Sequence, residues 1–105
     1  MALTLKSATG EGSIAGTIIL TVPTSKVYTI IGCRASNKDT ISSHTFHIKI
    51  NGVLVTGLNT PLPLGSALDI MVESKIVAEA GDNITAYSDA NNAVDIYISY
   101  LEQAA

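Results

Sequence analysis

A polar stretch in the first half of the chain carries the residue types of a hydrolase triad. Asp39, Ser42, Ser43 and His44 supply carboxylate, hydroxyl and imidazole groups, the set that serine hydrolases use to activate a nucleophile. All four, however, lie within one short segment, and neither a nucleophile elbow nor an oxyanion motif surrounds them. We therefore predict that the chain is not an enzyme and has no catalytic residues.

Two sets of side chains have the chemistry of metal ligands. His44 and His47 lie three residues apart; in a strand such side chains point to opposite faces, so they cannot share an ion without ligands from another element. Oxygen ligands that suit calcium are concentrated near the last two predicted loops. These are Asp82, Asp89, Asn91, Asn92 and Asp95. Their spacing matches no calcium-binding loop, and Asn and Asp are common turn residues. We predict no metal and no cofactor.

Two further patterns have a structural explanation as well as a functional one. Gly10-Glu-Gly-Ser-Ile-Ala15 matches the dinucleotide-binding fingerprint in its Gly/Ala variant, but a β-branched run follows it, not the helix that this pattern must open. We interpret it as a turn. Tyrosines without tryptophan are able to line a sugar site, but we favour core and interface positions for them. The four are Tyr28, Tyr87, Tyr97 and Tyr100.

The elements that position these residues are predicted to be β-strands. Residues 44–51 alternate between apolar and polar side chains, and Asn51-Gly52 after them is the strongest hairpin signal of the chain. Inward positions are predicted for Phe46, Ile48, Ile50, Ile84, Ala86, Ser88, Val94, Ile96, Ile98 and Tyr100. Further strands are predicted over residues 2–8, 14–22, 27–37 and 53–56, and an ordered surface loop over the proline-rich residues 57–65.

Two segments have ambiguous patterns. In the third strand one face carries Val27, Ile31, Cys33 and Ala35 and the other Tyr28, Ile30 and Arg34, so both faces are partly apolar. Residues 66–80 fit an amphipathic helix, because Ser66 and Asp69 could form a capping box. They fit two strands equally well, because Leu68, Ile70 and Val72 alternate and Glu73-Ser74-Lys75 can turn.

Composition indicates an assembly subunit. The 105 residues are enough for one domain with one core, and only 14% of them are charged, against about 25% in an average domain. Such a low-charge surface suits contact with protein neighbours. The net charge is −3 and the cations are scattered, which excludes a phosphate-binding patch and hence nucleic-acid binding. We also expect no signal peptide, no membrane span, and a buried free thiol at Cys33.

The chain resembles small virion proteins of tailed bacteriophages that decorate capsids or occupy the neck and tail. The resemblance runs from about Lys26 to Glu102 and is carried by the Tyr28-Thr-Ile-Ile31 strand, Ile48-Lys-Ile-Asn-Gly52, the Pro61-Leu-Pro-Leu-Gly-Ser66 segment, Ala80-Gly-Asp82 and Ile98-Ser-Tyr-Leu101. It implies two strands over residues 66–80. It also implies an all-β antiparallel sandwich, jelly-roll or immunoglobulin-like, with about eight short strands in one domain spanning residues 1–105.

These observations predict a non-enzymatic capsid decoration subunit that cements the particle through contacts with copies of itself and with other virion proteins. It would be a homo-oligomer on the capsid or tail surface, assembled in the bacterial host cytoplasm, without nucleic-acid or membrane partners. The alternatives are a neck or tail accessory subunit and a carbohydrate- or receptor-binding module on a fibre. The predicted contact residues, on the less buried strand faces or near a terminus, are Leu3, Leu5, Tyr28, Ile30 and Tyr97.

Overall fold

The computed structural model describes residues 3–56, 60–70 and 76–104, without the side chains of residues 69 and 70. Within these ranges the chain forms strands and turns, and no helix there is long and apolar enough to cross a membrane. Ten strands are described: β1 (Thr4–Glu11), β2 (Thr17–Thr21), β3 (Lys26–Asn37), β4 (His44–Ile50), β5 (Val53–Leu54), β6 (Thr60–Leu62), β7 (Ala67–Ile70), β8 (Ile76–Ala78), β9 (Asn83–Ser88) and β10 (Val94–Ala104).

The strands pair in a nested order and form two antiparallel sheets. Sheet 1 has the order β1, β10, β3, with β7 and β8 both paired to β3. Sheet 2 has the order β2, β9, β4, with β5 and β6 both paired to β4. The first strand thus pairs with the last and the second with the ninth, as when a long antiparallel ribbon folds into a jelly roll. The predicted all-β sandwich is confirmed. Each sheet has four strand positions, and the last position is filled by two short strands, β7 and β8 in sheet 1 and β5 and β6 in sheet 2.

One hydrophobic core lies between the sheets, and strict alternation places residues in it. Phe46, Ile48 and Ile50 of β4 are buried, and so are the predicted inward residues of β9 and β10. Phe46 and Ala86 have no exposed surface. The sequence-based assignment of these inward faces is confirmed, because alternation in a strand with one buried face directly sets which side chains are covered.

A β-bulge interrupts β3. Ser99 of β10 lies opposite Gly32, whereas the next residue, Tyr100, lies opposite Ile30, so Ile31 is an extra residue in β3. An extra residue shifts the inward and outward alternation of a strand by one position. The first half of β3 therefore buries its even-numbered residues, and the second half buries its odd-numbered residues.

The bulge corrects the predicted faces of the third strand. Before it, Tyr28 and Ile30 point into the core and are 4% and 2% exposed; after it, Cys33 and Ala35 point inward. The prediction assumed unbroken alternation, so it wrongly placed Tyr28 and Ile30 on the less buried face.

An edge strand of sheet 2 also differs from the sequence prediction. The predicted surface loop over residues 57–65 is wrong in its middle, where β6 pairs with β4 and Leu62 is 1% exposed. Pro61 is tolerated because an edge strand has no partner on its other side that needs the missing N–H group. Residues 57–59 lie outside the described chain.

Residues 66–80 contain strands wherever the structure describes them. β7 pairs with residues 33–36 of β3 and β8 with residues 28–30, on either side of the bulge. The two-strand prediction is confirmed over these ranges and the helix is not found there. The predicted turn at Glu73-Ser74-Lys75, together with Val72, lies outside the described residues. The Asn51-Gly52 hairpin is confirmed, with φ angles of 51° and 79°, both in the positive range that a type I′ turn requires.

Candidate assembly surface

Three of the five predicted contact residues are exposed at sheet 1. Leu5 of β1 is 67% exposed, Tyr97 of β10 is 48% exposed, and Leu3, just before β1, is 59% exposed. Tyr28 and Ile30 are core residues, so neither is available to a neighbour and the prediction is wrong for both. The Tyr28 ring instead packs against the Tyr100 ring at a centroid distance of 4.5 Å. Burial, with a hydrogen bond to Glu102, raises the pKa of Tyr28 to about 12.

An aliphatic band crosses the outer face of sheet 1. The strand register places Leu5 beside Leu101, Leu101 beside Thr29, and Thr29 beside Val77. We call these four residues the aliphatic band. Val77 is 57% exposed at the far edge. The band spans β1, β10, β3 and β8 without a charged side chain, and contiguous apolar surface of this kind marks interaction sites in soluble proteins.

Tyr97 and Arg34 form a second row on the same face. They lie opposite each other on β10 and β3, and Ser99 and Gly32 separate them from the aliphatic band. A Cβ atom at Gly32 would lie 2.7 Å from the Ser99 hydroxyl oxygen, so the lack of a side chain at this position avoids a clash and leaves a depression in the face. Shallow depressions of about 480 and 420 Å³ flank the row. Tyrosine and arginine are the residue types that most often anchor protein interfaces.

Ion pairs at one end of sheet 1 join its strands. Lys38 Nζ lies 2.8 Å from Glu11 Oε2 and 2.9 Å from Asp95 Oδ1. These hydrogen bonds, first to Glu11 and then to Asp95, raise the pKa of Lys38. All three side chains are at least 40% exposed, so the pairs contribute little to stability. Asp95, one of the calcium-ligand candidates of the sequence, is thus paired with the Lys38 ammonium group.

His44 joins Asp39, a second residue of the triad-like segment, to Asp89 of the β9–β10 loop. His44 Nε2 lies 2.7 Å from Asp39 Oδ2, and His44 Nδ1 lies 2.8 Å from Asp89 Oδ1. Both ring nitrogens face carboxylate oxygens, so the doubly protonated ring can donate to both, and in that form neither nitrogen offers a lone pair to a hydroxyl group or a metal ion. The Ser43 hydroxyl oxygen accepts a hydrogen bond from the Leu64 N–H. The geometry is that of an imidazolium between two carboxylates.

The remaining calcium candidates serve the turns. Asp82 Oδ2 accepts a hydrogen bond from the Glu79 N–H, and Asn91 Oδ1 accepts one from the Ile14 N–H. Asn92 has a φ angle of 61°, a conformation that Asn tolerates better than most residues. In the described part of the chain no group of His, Cys, Asp and Glu side chains is arranged to hold a metal ion.

The outer face of sheet 2 carries a stacked ring pair. The His47 and Tyr87 rings are 4.8 Å apart and 7° from parallel, and Lys49 Nζ lies 5.2 Å from the Tyr87 ring centroid. Burial and the nearby Lys49 charge lower the pKa of His47. His47 therefore lies on the sheet surface while His44 binds the loops, and the two imidazoles do not meet.

Cys33 is a buried free thiol, as predicted. It is 5% exposed, and burial raises its pKa to about 12. The thiolate is the reactive form of cysteine, so this side chain is inert in the folded protein.

The two antiparallel sheets form a β-sandwich, and an uncharged, largely apolar band is exposed on the outer face of sheet 1. Comparison with protein families, with curated proteins and with solved structures gave no match to the chain. Leu101, Val77 and Arg34 belong to the surface but were missed by sequence reasoning. Leu101 could have been found, since it alternates with Tyr97 along one strand; Val77 and Arg34 depend on a register that the sequence does not reveal.

Proposed function

We propose that this chain is a non-enzymatic structural subunit of a tailed-bacteriophage particle, a capsid decoration subunit that docks through the outer face of sheet 1. The aliphatic band carries the proposal, because it leaves Leu5 and Val77 more than half exposed on the outer face of the sheet. The low content of charged residues and the resemblance to small virion proteins support it. The proposed partners are copies of the chain and neighbouring shell subunits.

The proposed mechanism is cementing. Fully burying an exposed Leu, Val or Tyr side chain contributes roughly 1.5–3 kcal/mol, and Tyr97 with Arg34 would anchor the contact near its centre. The molecule measures 47 by 24 Å along its two longest axes, so a face of sheet 1 can supply the about 800 Å² per partner of a stable interface. Binding only to the assembled shell would stabilise that state by mass action.

The position on the particle follows from copy number. In particles of the phage whose genome encodes this chain, we expect mass spectrometry to find the chain at a copy number near that of the major shell protein. Six or twelve copies would instead assign it to a closed ring in the neck or tail. Absence from purified particles would contradict both positions and with them the virion proposal.

The docking face is tested by matched variants. A phage with the gene deleted supplies particles that lack the chain, and purified protein is added back to them. The Tyr97→Ala variant should bind these particles at least about 30-fold more weakly than the unchanged protein, and the Leu5→Ser variant several-fold more weakly. Ile18→Ser is the control, because Ile18 is 58% exposed but belongs to β2 in sheet 2. Co-sedimentation measures the affinities. Equal losses for Leu5→Ser and Ile18→Ser would exclude the sheet 1 face as the contact.

A second candidate function is glycan binding on a fibre, favoured by the depressions beside Tyr97. Hydroxyl groups of Thr9, Ser36 and Ser99 line them next to the half-exposed Tyr97 ring, and sugars bind proteins through such ring faces and hydroxyl groups. A glycan array followed by titration tests it: Tyr97→Ala should abolish binding and Tyr97→Phe, which keeps the ring, should retain it. An array without a hit contradicts this candidate and leaves docking intact.

A further inference from the structure

We propose that His44 is a protonation-dependent latch for the Asp89 side chain of the β9–β10 loop, and that loss of one ring proton releases this side chain while Asp39 of the β3–β4 loop stays bound. Backbone bonds from the Asp89 N–H to the Thr45 carbonyl and from the Lys38 N–H to the Ala93 carbonyl hold the backbone of the loop in both states. The latch consists of the imidazolium and the two carboxylates already described, Asp39 from the β3–β4 loop and Asp89 from the β9–β10 loop. The His44 side chain is only 10% exposed, so the ring is confined between the two loops. The inference does not depend on the proposed function.

Among the residues that the structure describes, the charges that face the ring are those two carboxylates. The neighbouring strands present Leu62 of β6, opposite His44, and Ser88 of β9, and neither side chain titrates. Lys38, next to Asp39 in the chain, is bound to Glu11 and Asp95. The two carboxylates therefore govern the ring's proton equilibrium, and each favours the imidazolium, because only that form can donate from both nitrogens.

The two halves of the latch differ in how firmly they are held. Asp39 also accepts a hydrogen bond from the Ile41 N–H at 2.8 Å, and its side chain is 28% exposed. Asp89 is 45% exposed, and its other described side-chain contact is the Ser88 hydroxyl at 3.5 Å. When one proton leaves the ring, the remaining proton stays on Nε2, towards the better-fixed Asp39. Nδ1 then presents a lone pair to the Asp89 carboxylate, which repels it.

Release of Asp89 reaches a third loop. Asn91, in the same loop, accepts the hydrogen bond from the Ile14 N–H at 3.1 Å, and the Ile14 side chain is 64% exposed between β1 and β2. Opening the latch should therefore weaken the bond between Asn91 and the Ile14 N–H, while the Gly12 N–H bond to the Val94 carbonyl and the Ser88 N–H bond to the Ser13 carbonyl hold the rest of the β1–β2 loop. The β3–β4 loop, with Ile41, keeps its contact to Asp39.

The direction of the pH dependence follows from the pKa shifts. The hydrogen bond to Asp39, against a smaller effect of burial and with help from Asp89, raises the pKa of His44 above its ordinary 6.5. The latch is therefore complete below pH 6.5 as long as both carboxylates are ionised, and it opens as pH rises through the raised value. Hydrogen bonds from His44 and the Ile41 N–H lower the pKa of Asp39 below its ordinary 3.8. The Asp39 half is thus intact above pH 3.8 and is lost only as pH falls through that lower value.

Nuclear magnetic resonance of the ¹⁵N-labelled unchanged protein tests the latch. Between about pH 4 and pH 9, a range that spans the ordinary histidine pKa, the His44 ring should carry two protons at the acid end and titrate above 6.5. The Ile14 amide signal should titrate with the ring, whereas the Ile41 amide signal should not. A ring that titrates at or below 6.5, an Ile14 signal that does not follow it, or equal responses from both loops would overturn the proposal.

Two variants assign the effect to the Asp89 half. Asp89→Asn removes one facing charge with little change of shape, so the His44 pKa should fall and the Ile14 signal should lose its dependence on the ring. His47→Gln is the control, because His47 lies on the outer face of sheet 2 against Tyr87 and should leave the Ile14 titration unchanged. A persistent Ile14 titration in Asp89→Asn would contradict the latch. If that variant does not fold, the titration of the unchanged protein decides.

Discussion

Replacement of Ile98 by alanine is expected to lower the free energy of unfolding by about 2–5 kcal/mol. Ile98 lies in the centre of β10 and is 1% exposed, and its cross-strand partners are Ala8 and Cys33. These neighbours are small, so they cannot fill the cavity that the missing carbons leave. The loss is a large part of the 5–15 kcal/mol that stabilises a typical domain. Urea unfolding followed by circular dichroism measures it.

The matched control is Ile41→Ala, which removes the same atoms from a side chain that is 84% exposed. A surface substitution of this kind should change the free energy of unfolding by less than about 0.5 kcal/mol. The difference between the two variants thus measures burial alone. If both variants unfolded at the same urea concentration, β10 would not run through the core as the structure places it.

The strands with one buried face could be predicted from the sequence. Phe46, Ile48 and Ile50 alternate with His47 and Lys49, and this pattern alone sets which side chains enter the core. The Asn51-Gly52 turn was equally informative, since few dipeptides accept positive φ at both positions. Local rules of this kind apply within one strand and do not need the register between strands.

The candidate surface was less predictable because it depends on pairing. The aliphatic band exists only because Leu5, Leu101, Thr29 and Val77 meet across four strands, and Val77 is far from the others along the chain. The link between His44 and Asp89 spans 45 residues, and no spacing rule connects them. The bulge is a third case: a single extra residue changes which side of β3 is buried, and both faces of that strand carry apolar side chains.

Deletion of Ile31 is expected to cost much less than a core truncation such as Ile98→Ala. Gly32 already pairs with Ser99 and Ile30 with Tyr100, so without the extra residue the two strands can pair continuously in the same register, with Tyr28 and Ile30, now 4% and 2% exposed, still facing the core. β8, which pairs with residues 28–30, keeps its register, and the loss should stay below about 2 kcal/mol, that of one half-buried isoleucine. The same urea titration measures the loss.

Ile31→Ala separates the effect of residue count from the effect of the side chain. This variant keeps the bulge and removes only a half-buried isoleucine, so its cost should stay below about 2 kcal/mol. The outer face of sheet 1 should keep its residues in both variants, since Thr29 lies opposite Leu101 whether or not the extra residue is present. If the deletion proved as destabilising as Ile98→Ala, the pairing of β3 with β10 would not survive loss of the bulge, and the bulge itself would be needed to keep Tyr28 and Ile30 in the core.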